Sequence, residues 1–341
     1  MPTQSPTPPL RLGILSTAKI ARLFAAGVRS SATLTVAAVA SRDPAKAEQF
    51  AHEMMIPRHY GSYEDLLADP EIDAIYNPLP NSLHAEWSIR AAAAHKHVLC
   101  EKPLAVSAAQ ARAMFAEAER NGIYLVEGYP YRAQPQTLKL QELLDSGALG
   151  PVQMLQAGFG FTMNNETNIR MAPALGGGAL LDVGVYPVSL ARMVAKQRPS
   201  RVTAWAQWTN TGVDRTLVGT IEFPGGLLAQ IAGSFATHVY RQALIAGPGG
   251  VIQTTFINHP TAANPPVLHF RHGSADAPVE VIELPATNGF LAEAESFARL
   301  VRGGWSQWTG ATPAESIDIM LTLEALLESA HSGKPVTIAA P

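Results

Sequence analysis

The chain has 341 residues, 47% of them apolar and 16% charged, enough for two domains with large buried cores and too apolar for extended disorder. Its net charge of −3 gives no electrostatic basis for binding nucleic acid or an acidic membrane. Cys100 is the single cysteine, so an internal disulfide and a cysteine-based zinc cage are both excluded, and no metal site is expected.

Met1 to Leu10 is rich in Ser, Thr and Pro and lacks the charged and apolar blocks of a signal peptide. It reads as a mobile arm, and the chain as cytoplasmic, or as periplasmic had a leader been removed. No apolar run approaches the roughly eighteen residues needed to cross a bilayer, so no membrane partner is expected.

A first domain is expected over 11–128, where short apolar runs alternate with helical patterns. Strands are predicted at Leu12–Leu15, Leu34–Ala40, Ala74–Asn77, His97–Cys100 and Tyr124–Glu127. Helices are predicted at Lys19–Arg29, Asn81–His95 and Ser107–Asn121, the last two opened by residues able to cap them. Repeated strand–helix–strand units imply a parallel sheet covered by helices.

The rhythm changes over 129–341. After a connecting helix at Gln134–Ser146 come strands at Val152–Phe161, Arg201–Thr209, Leu217–Phe223, Leu227–Phe235, Gln242–Ala246 and Val279–Leu284. Turn signals such as Pro224-Gly225-Gly226 separate them. A mostly antiparallel sheet follows, closed by helices at Gly289–Val301 and Pro313–Ser332, the last of which could pack back on the first domain. An antiparallel sheet with helices on one side leaves an open apolar face, which invites a homodimer or homotetramer.

The first strand runs into Gly13-Ile14-Leu15-Ser16-Thr17-Ala18-Lys19-Ile20. A dinucleotide-binding turn reads G-x-G-x-x-G/A and rests a pyrophosphate on a helix N-terminus. Gly13 and Ala18 fit its first and third positions, Leu15 replaces the middle glycine, and Ser16 and Thr17 add hydroxyls. Where an NAD site wants an acid at the end of the second strand, this chain has Ser41-Arg42-Asp43-Pro44, with Lys46 one turn on. Hydroxyl, guanidinium and ammonium there suit the 2′-phosphate of NADP. Asp43 is expected to cap the next helix.

His97-Val98-Leu99-Cys100-Glu101-Lys102-Pro103 puts a Glu–Lys pair at the carboxyl end of a buried strand, the edge that faces the ligand crevice in open α/β sheets. A partly desolvated lysine beside a nicotinamide is expected to have a lowered pKa and to exchange a proton with an alcohol or carbonyl. Pro103 stiffens the turn and admits a cis bond. Cys100 reads as a buried strand filler. His84, on the first turn of a helix, reads equally as structural or as a ligand contact.

Four stretches, in order, carry a resemblance: Gly13 to Ala21, Pro80-Asn81-Ser82-Leu83-His84, Cys100 to Pro103, and Gly176-Gly177-Gly178-Ala179-Leu180-Leu181-Asp182-Val183-Gly184-Val185-Tyr186. Together they resemble the Gfo/Idh/MocA oxidoreductases, and within them the branch of glucose–fructose oxidoreductase and dimeric dihydrodiol dehydrogenase. That branch carries tyrosine at Tyr186 where many members have histidine. The implied fold is α/β: an N-terminal Rossmann dinucleotide-binding domain, then a C-terminal α+β domain with an open, mostly antiparallel sheet.

The resemblance implies that Lys102 exchanges the proton at the substrate oxygen. Tyr186 could share the task, since a cation beside a phenol favours its anionic form, with Asp182 accepting a bond from a substrate hydroxyl. It places Leu79, Pro80, Asn81 and His84 on the nicotinamide side, Glu101 on the ribose, and Arg132 and Arg170 near the cofactor or substrate. Phe159 and Phe290, with Tyr129 and Tyr131, are candidates for the pocket wall, although each also suits a core. The implied reaction is NADP-dependent oxidation of a cyclic aldose at C1 to a lactone, with a second sugar able to re-oxidise retained NADPH. Rival readings are a trans-dihydrodiol or dicarbonyl oxidoreductase and a non-catalytic NADP or sugar sensor.

Overall fold

In the computed structural model, residues 8–274 and 276–339 are described. Most of the expected arm lies outside that range; Leu10, assigned to it from sequence, is instead the buried first residue of a strand. Six short runs form a parallel sheet: β1 (Leu10–Leu15), β2 (Leu34–Ala40), β3 (Arg58–Tyr60), β4 (Ala74–Asn77), β5 (His97–Glu101) and β6 (Leu125–Gly128). Their order is β3-β2-β1-β4-β5-β6, so the winding reverses between β1 and β4. A crevice opens at the carboxyl ends of the strands at that switch.

Alternate residues of these strands point to opposite faces, and each face has its own core. Val98 and Cys100 pack with α3 (Tyr63–Ala68), α4 (His84–Ala93) and α5 (Ala108–Arg120). Leu99 and Tyr76 pack with α1 (Lys19–Gly27), α2 (Pro44–Met54) and Phe290 and Phe297 of a much later helix. Asp43 caps α2 as predicted, accepting from the N–H groups of Ala45 and Lys46 at 3.1 and 3.3 Å. The helix expected over Asn81–His95 is split. Asn81–Leu83 is a single 3₁₀ turn and α4 starts at His84 without a side-chain cap, because the Asn81 amide donates instead to Gly176 O at 2.8 Å.

After α6 (Pro135–Asp145) the chain builds a nine-stranded sheet from β7 (Met154–Thr162), β8 (Arg201–Trp208), β9 (Asp214–Glu222), β10 (Leu228–Ser234), β11 (Ala236–Gly247), β12 (Gly250–Thr254), β13 (Val267–His272), β14 (Glu280–Glu283) and β15 (Val336–Thr337). The order is β14-β13-β12-β11-β7-β10-β9-β8-β15, antiparallel throughout except at β7–β10. β12, β13 and β15 escape the sequence reading because they are short and alternate with exposed polar residues. Helix α7 (Val185–Ala195) and α9 (Pro313–Ser332) pack on one face. α8 (Gly289–Gly303) carries Phe290 and Phe297 back onto the first sheet, and Glu324 of α9 accepts from the N–H of Ala108 at the start of α5.

The other face of the nine-stranded sheet is open, but it is less apolar than expected. Trp205 and Val218 stand exposed among Gln156, Gln230, Gln242 and Gln253. The stretch Pro173–Ala195 is long and apolar enough to cross a membrane, yet most of it is buried inside the protein, broken by turns that carry the site.

Candidate active site

A cleft of about 780 Å³ runs between the two sheets. At its outer end, Ser16 turns the chain with φ +103°, donates its N–H to Ala40 O at 2.8 Å and accepts from Ala18 N at 3.0 Å through its hydroxyl. Helix α1 then begins with no side-chain cap and no acid in its first turn. Its free N–H groups and partial positive charge suit an anion. Ser16, Ala18, Lys19, Ile20 and Arg42 all line the cleft.

Other residues proposed for this end do not line it. Gly13 lies within β1, where an added Cβ would meet Leu66 at 2.7 Å; it is a packing glycine between strand and α3. Thr17 is absent from the cleft wall. Ser41 is buried and accepts from Asp43 N, and Lys46 lies on the exposed face of α2, 3.3 Å from Asp43. Arg42 is thus the basic side chain that the end of β2 contributes to the cleft, and the fit to an NADP phosphate rests on it and on the uncapped helix.

At the inner end, the cis Lys102–Pro103 turn follows β5. The Lys102 ammonium donates to the Asp182 carbonyl at 2.8 Å and to Asp182 Oδ1 at 3.1 Å. Arg170 Nε donates to Asp182 Oδ2 at 2.6 Å. Burial alone would raise the Asp182 carboxyl, but the Lys102 and Arg170 charges outweigh it and hold it below its ordinary value. The expectation of a lowered Lys102 pKa is overturned for the same reason. Desolvation pushes it down, yet Asp182, Tyr186 and Glu101 together push it above its ordinary value. At neutral pH Lys102 is an ammonium.

Asp182 reaches Lys102 because of how its element begins. Leu180–Gly184 forms a wide π-type turn leading into α7, a distortion common at functional sites. Its entry is clamped by Asp214, which accepts from Leu180 N at 2.7 Å. Gly178 is required there: φ is +122°, and an added Cβ would lie 2.2 Å from Asp214 Oδ1. Burial pushes the Asp214 carboxyl up to about 6.

Tyr186, on the first turn of α7, faces the cleft. Its hydroxyl accepts from Asn258 Nδ2 at 3.0 Å, and Lys102 Nζ lies 5.1 Å from its ring centroid. Glu101 is buried at the cleft floor, where its Oε1 accepts from the Tyr76 hydroxyl at 2.6 Å. Burial raises its pKa against the opposing pull of Lys102. Leu79, Pro80, Asn81, Arg170, Phe159 and Phe290 also line the cleft.

His84 lines it too, but its ring is spent on structure. Nδ1 sits 2.8 Å from Pro103 O and Nε2 2.7 Å from Leu79 O. Burial, aided by the Lys102 charge, pushes its pKa down to about 4 despite these two acceptors. Arg132 does not belong to the site. It points away from the cleft into a buried pair with Glu315 at 2.9 Å, because the 3₁₀ turn Pro130–Ala133 presents Pro130 to the cleft instead. Tyr129 and Tyr131 are core residues, in line with the blander expectation.

Sequence reasoning missed Asn258 and His259, which enter the wall from the loop after β12, and the apolar set Phe161, Met163 and Ile169. An Asn-His pair in an irregular loop carries no pattern that could have flagged it. His259 accepts from Gly289 N at 3.3 Å, and burial with the Arg241 charge pushes its pKa down to about 4.

Comparison with known proteins settles the family. Residues 10–129 match the model of the oxidoreductase family with an NAD-binding Rossmann fold, and residues 137–253 match the GFO/IDH/MocA C-terminal domain. The chain belongs to the Gfo/Idh/MocA oxidoreductase family. Within this family it is 37% identical to D-xylose 1-dehydrogenase (NADP(+)) 2 of Haloferax volcanii, over 96% of this chain and 100% of that protein. It is 34% identical to trans-1,2-dihydrobenzene-1,2-diol dehydrogenase of Danio rerio, over 90% and 92%. The crystal structure of aldose-aldose oxidoreductase from Caulobacter crescentus, complexed with glycerol, superposes with a TM-score of 0.88 at 26% identity, covering 96% of this chain and 99% of that one.

Proposed function

We propose that the protein is an NADP-dependent sugar oxidoreductase that oxidises a cyclic aldose at C1, with Lys102 and Tyr186 managing the proton. The observation that carries this reading is one cleft holding an uncapped helix N-terminus beside Arg42 at one end and the Lys102–Asp182–Tyr186 cluster at the other. NADP, when bound, supplies the carbon that accepts the hydride from the sugar. Ser16, Lys19, Ile20 and Arg42 would hold its phosphates, with Leu79, Pro80 and Glu101 on the nicotinamide ribose side.

The protein's own part is to place and move a proton. Lys102, kept protonated by Asp182, donates a hydrogen bond to the substrate oxygen. Tyr186, as the phenolate, takes the proton that leaves that oxygen and becomes the neutral phenol, its oxygen accepting from the Asn258 amide. Asp182 holds Lys102 and Arg170 at once and offers a carboxylate oxygen to a neighbouring sugar hydroxyl. The relatives that act on D-xylose and on aldoses support the choice of substrate class.

The apolar wall of Phe159, Phe161, Met163 and Ile169 favours a second reading, a trans-dihydrodiol substrate, as in the Danio rerio relative. Purified protein is denatured to identify any released nucleotide, then offered aldoses and a trans-dihydrodiol while NADPH absorbance is followed. Aldose turnover supports the first reading and dihydrodiol turnover alone replaces it. Conversion of two sugars with retained NADP and no net NADPH indicates sugar–sugar exchange. A chain whose K102M and Y186F variants turn over like wild type is not this enzyme, and the sensor reading takes its place.

The open sheet face, with Trp205 66% exposed and Val218 45% exposed, supports assembly as a homodimer or homotetramer. Light scattering at micromolar concentration tests it, and a monomer mass overturns it.

A further inference from the structure

One partly buried cation takes no part in that proton transfer. Arg241, on β11 opposite Phe159 of β7, has its guanidinium among four aromatic rings. The centroids of Tyr186, Phe256, Phe159 and Tyr131 lie 4.1, 4.7, 4.9 and 5.5 Å from its Cζ. Its Nε and Nη2 are shut off from solvent and have no hydrogen-bond partner among the described residues. No carboxylate lies within ion-pair distance in that set. Burial pushes the guanidinium down to about 10, so it remains a cation at neutral pH.

A buried cation without an anionic partner is costly unless something nearby carries compensating charge. The groups around it are known. Tyr131 spends its hydroxyl on Ser189, 3.0 Å away, and burial raises its pKa. Phe159 and Phe256 cannot ionise, and His259 is held neutral. Phe159 and Tyr186 both touch the guanidinium and line the cleft, and of these two Tyr186 is the one that can ionise. On its other side stand Lys102, Asp182 and Arg170, with Glu101 and Tyr76 beneath. Lys102 and Arg170 are already neutralised in part by Asp182; Arg241 is not.

We propose that Arg241 is a positioning residue for the reaction: a fixed cation against the Tyr186 ring that stabilises the negative charge of the phenolate with which Tyr186 takes the substrate proton. The inference rests on Tyr186 being the proton-exchanging group. The aromatic box gives it geometry. Four close rings hold the guanidinium in place, and with Nε and Nη2 out of contact with solvent its charge is screened by salt less than that of a surface cation.

The test needs no substrate for its first readout. Tyrosine ionisation is followed by ultraviolet difference titration in wild type, Y186F and R241M. Wild type minus Y186F isolates Tyr186. In R241M that component is expected at a pH about one unit or more higher, a tenfold change in proton affinity, while R241K keeps most of the wild-type position. R241Q, planar but uncharged, stands in if R241M does not fold. Turnover of D-xylose with NADP is the second readout. Its ascending pH limb should move up with R241M by the same amount, with NADP affinity unchanged. Identical Tyr186 titration in wild type, R241M and R241Q overturns the proposal, as does a loss of turnover with an unmoved pH profile. If Y186F retains wild-type turnover while R241M still shifts the titration, the functional reading fails and the electrostatic coupling stands.

Discussion

The two ends of the cleft solve different problems with different materials. At the outer end, recognition is spread over backbone N–H groups, the Ser16 turn and the exposed Arg42, all open to water. At the inner end, Lys102 and Asp182 are 13% and 14% exposed, Tyr186 is buried, and the Arg241 guanidinium lies 4.1 Å from the Tyr186 ring centroid with Nε and Nη2 out of contact with solvent. Charge interactions in water are weak and salt-screened, whereas those in a dry pocket are strong and directional. The outer end should therefore tolerate single changes that the inner end does not.

The largest effect is expected from Y186F and K102M. Removing a positioned proton-transfer group lowers turnover by about 10²–10⁴-fold, to be read as kcat with NADP affinity unchanged. A smaller loss would erase the contrast between the two ends. D182N comes next. It removes the anion that keeps Lys102 protonated, so the alkaline limb of the kcat profile moves to lower pH. The loss of a charge-assisted bond costs kcat about 10–100-fold.

R42A should act through affinity alone, raising KM for NADP about tenfold with little change for NAD. That rise should shrink as salt increases, and an effect on kcat would show the ends to be coupled. The smallest expected effect lies beneath the site. Burial pushes Glu127 from 4.5 up to about 7, so the folded protein holds a proton across that window that the unfolded chain has released. Stability from this group falls as pH rises from 4.5 to 7. The Tm of E127Q relative to wild type should therefore rise by a few degrees, roughly, across the same interval; a flat difference would place the carboxyl in contact with water.

The inner end was the more legible in sequence. Lys102, Asp182, Tyr186 and Glu101 sit in short local motifs, each at a strand end or a helix start, where the backbone fixes the side-chain direction. The outer end misled. Ser41 and Lys46 have the right chemistry at the right distance along the chain, but Asp43 captures both, one through its N–H and one through its carboxylate. Gly13 fits the dinucleotide pattern, yet Leu66 from α3 explains it. Arg132 looked like a second basic contact, and Glu315, far along the chain, claims it.

Order along the chain determined the element types, the two-sheet plan and the motifs at the strand ends, because apolar period, capping residues and turns act between neighbours within a few positions. Packing decided the rest. It set the protonation of Lys102, for which burial alone pointed the wrong way until Asp182 arrived from eighty residues on. It brought Asn258 and His259 into the wall, and it put Arg241 against Tyr186. Long-range electrostatics depends on distance and burial in three dimensions, neither of which residue spacing encodes.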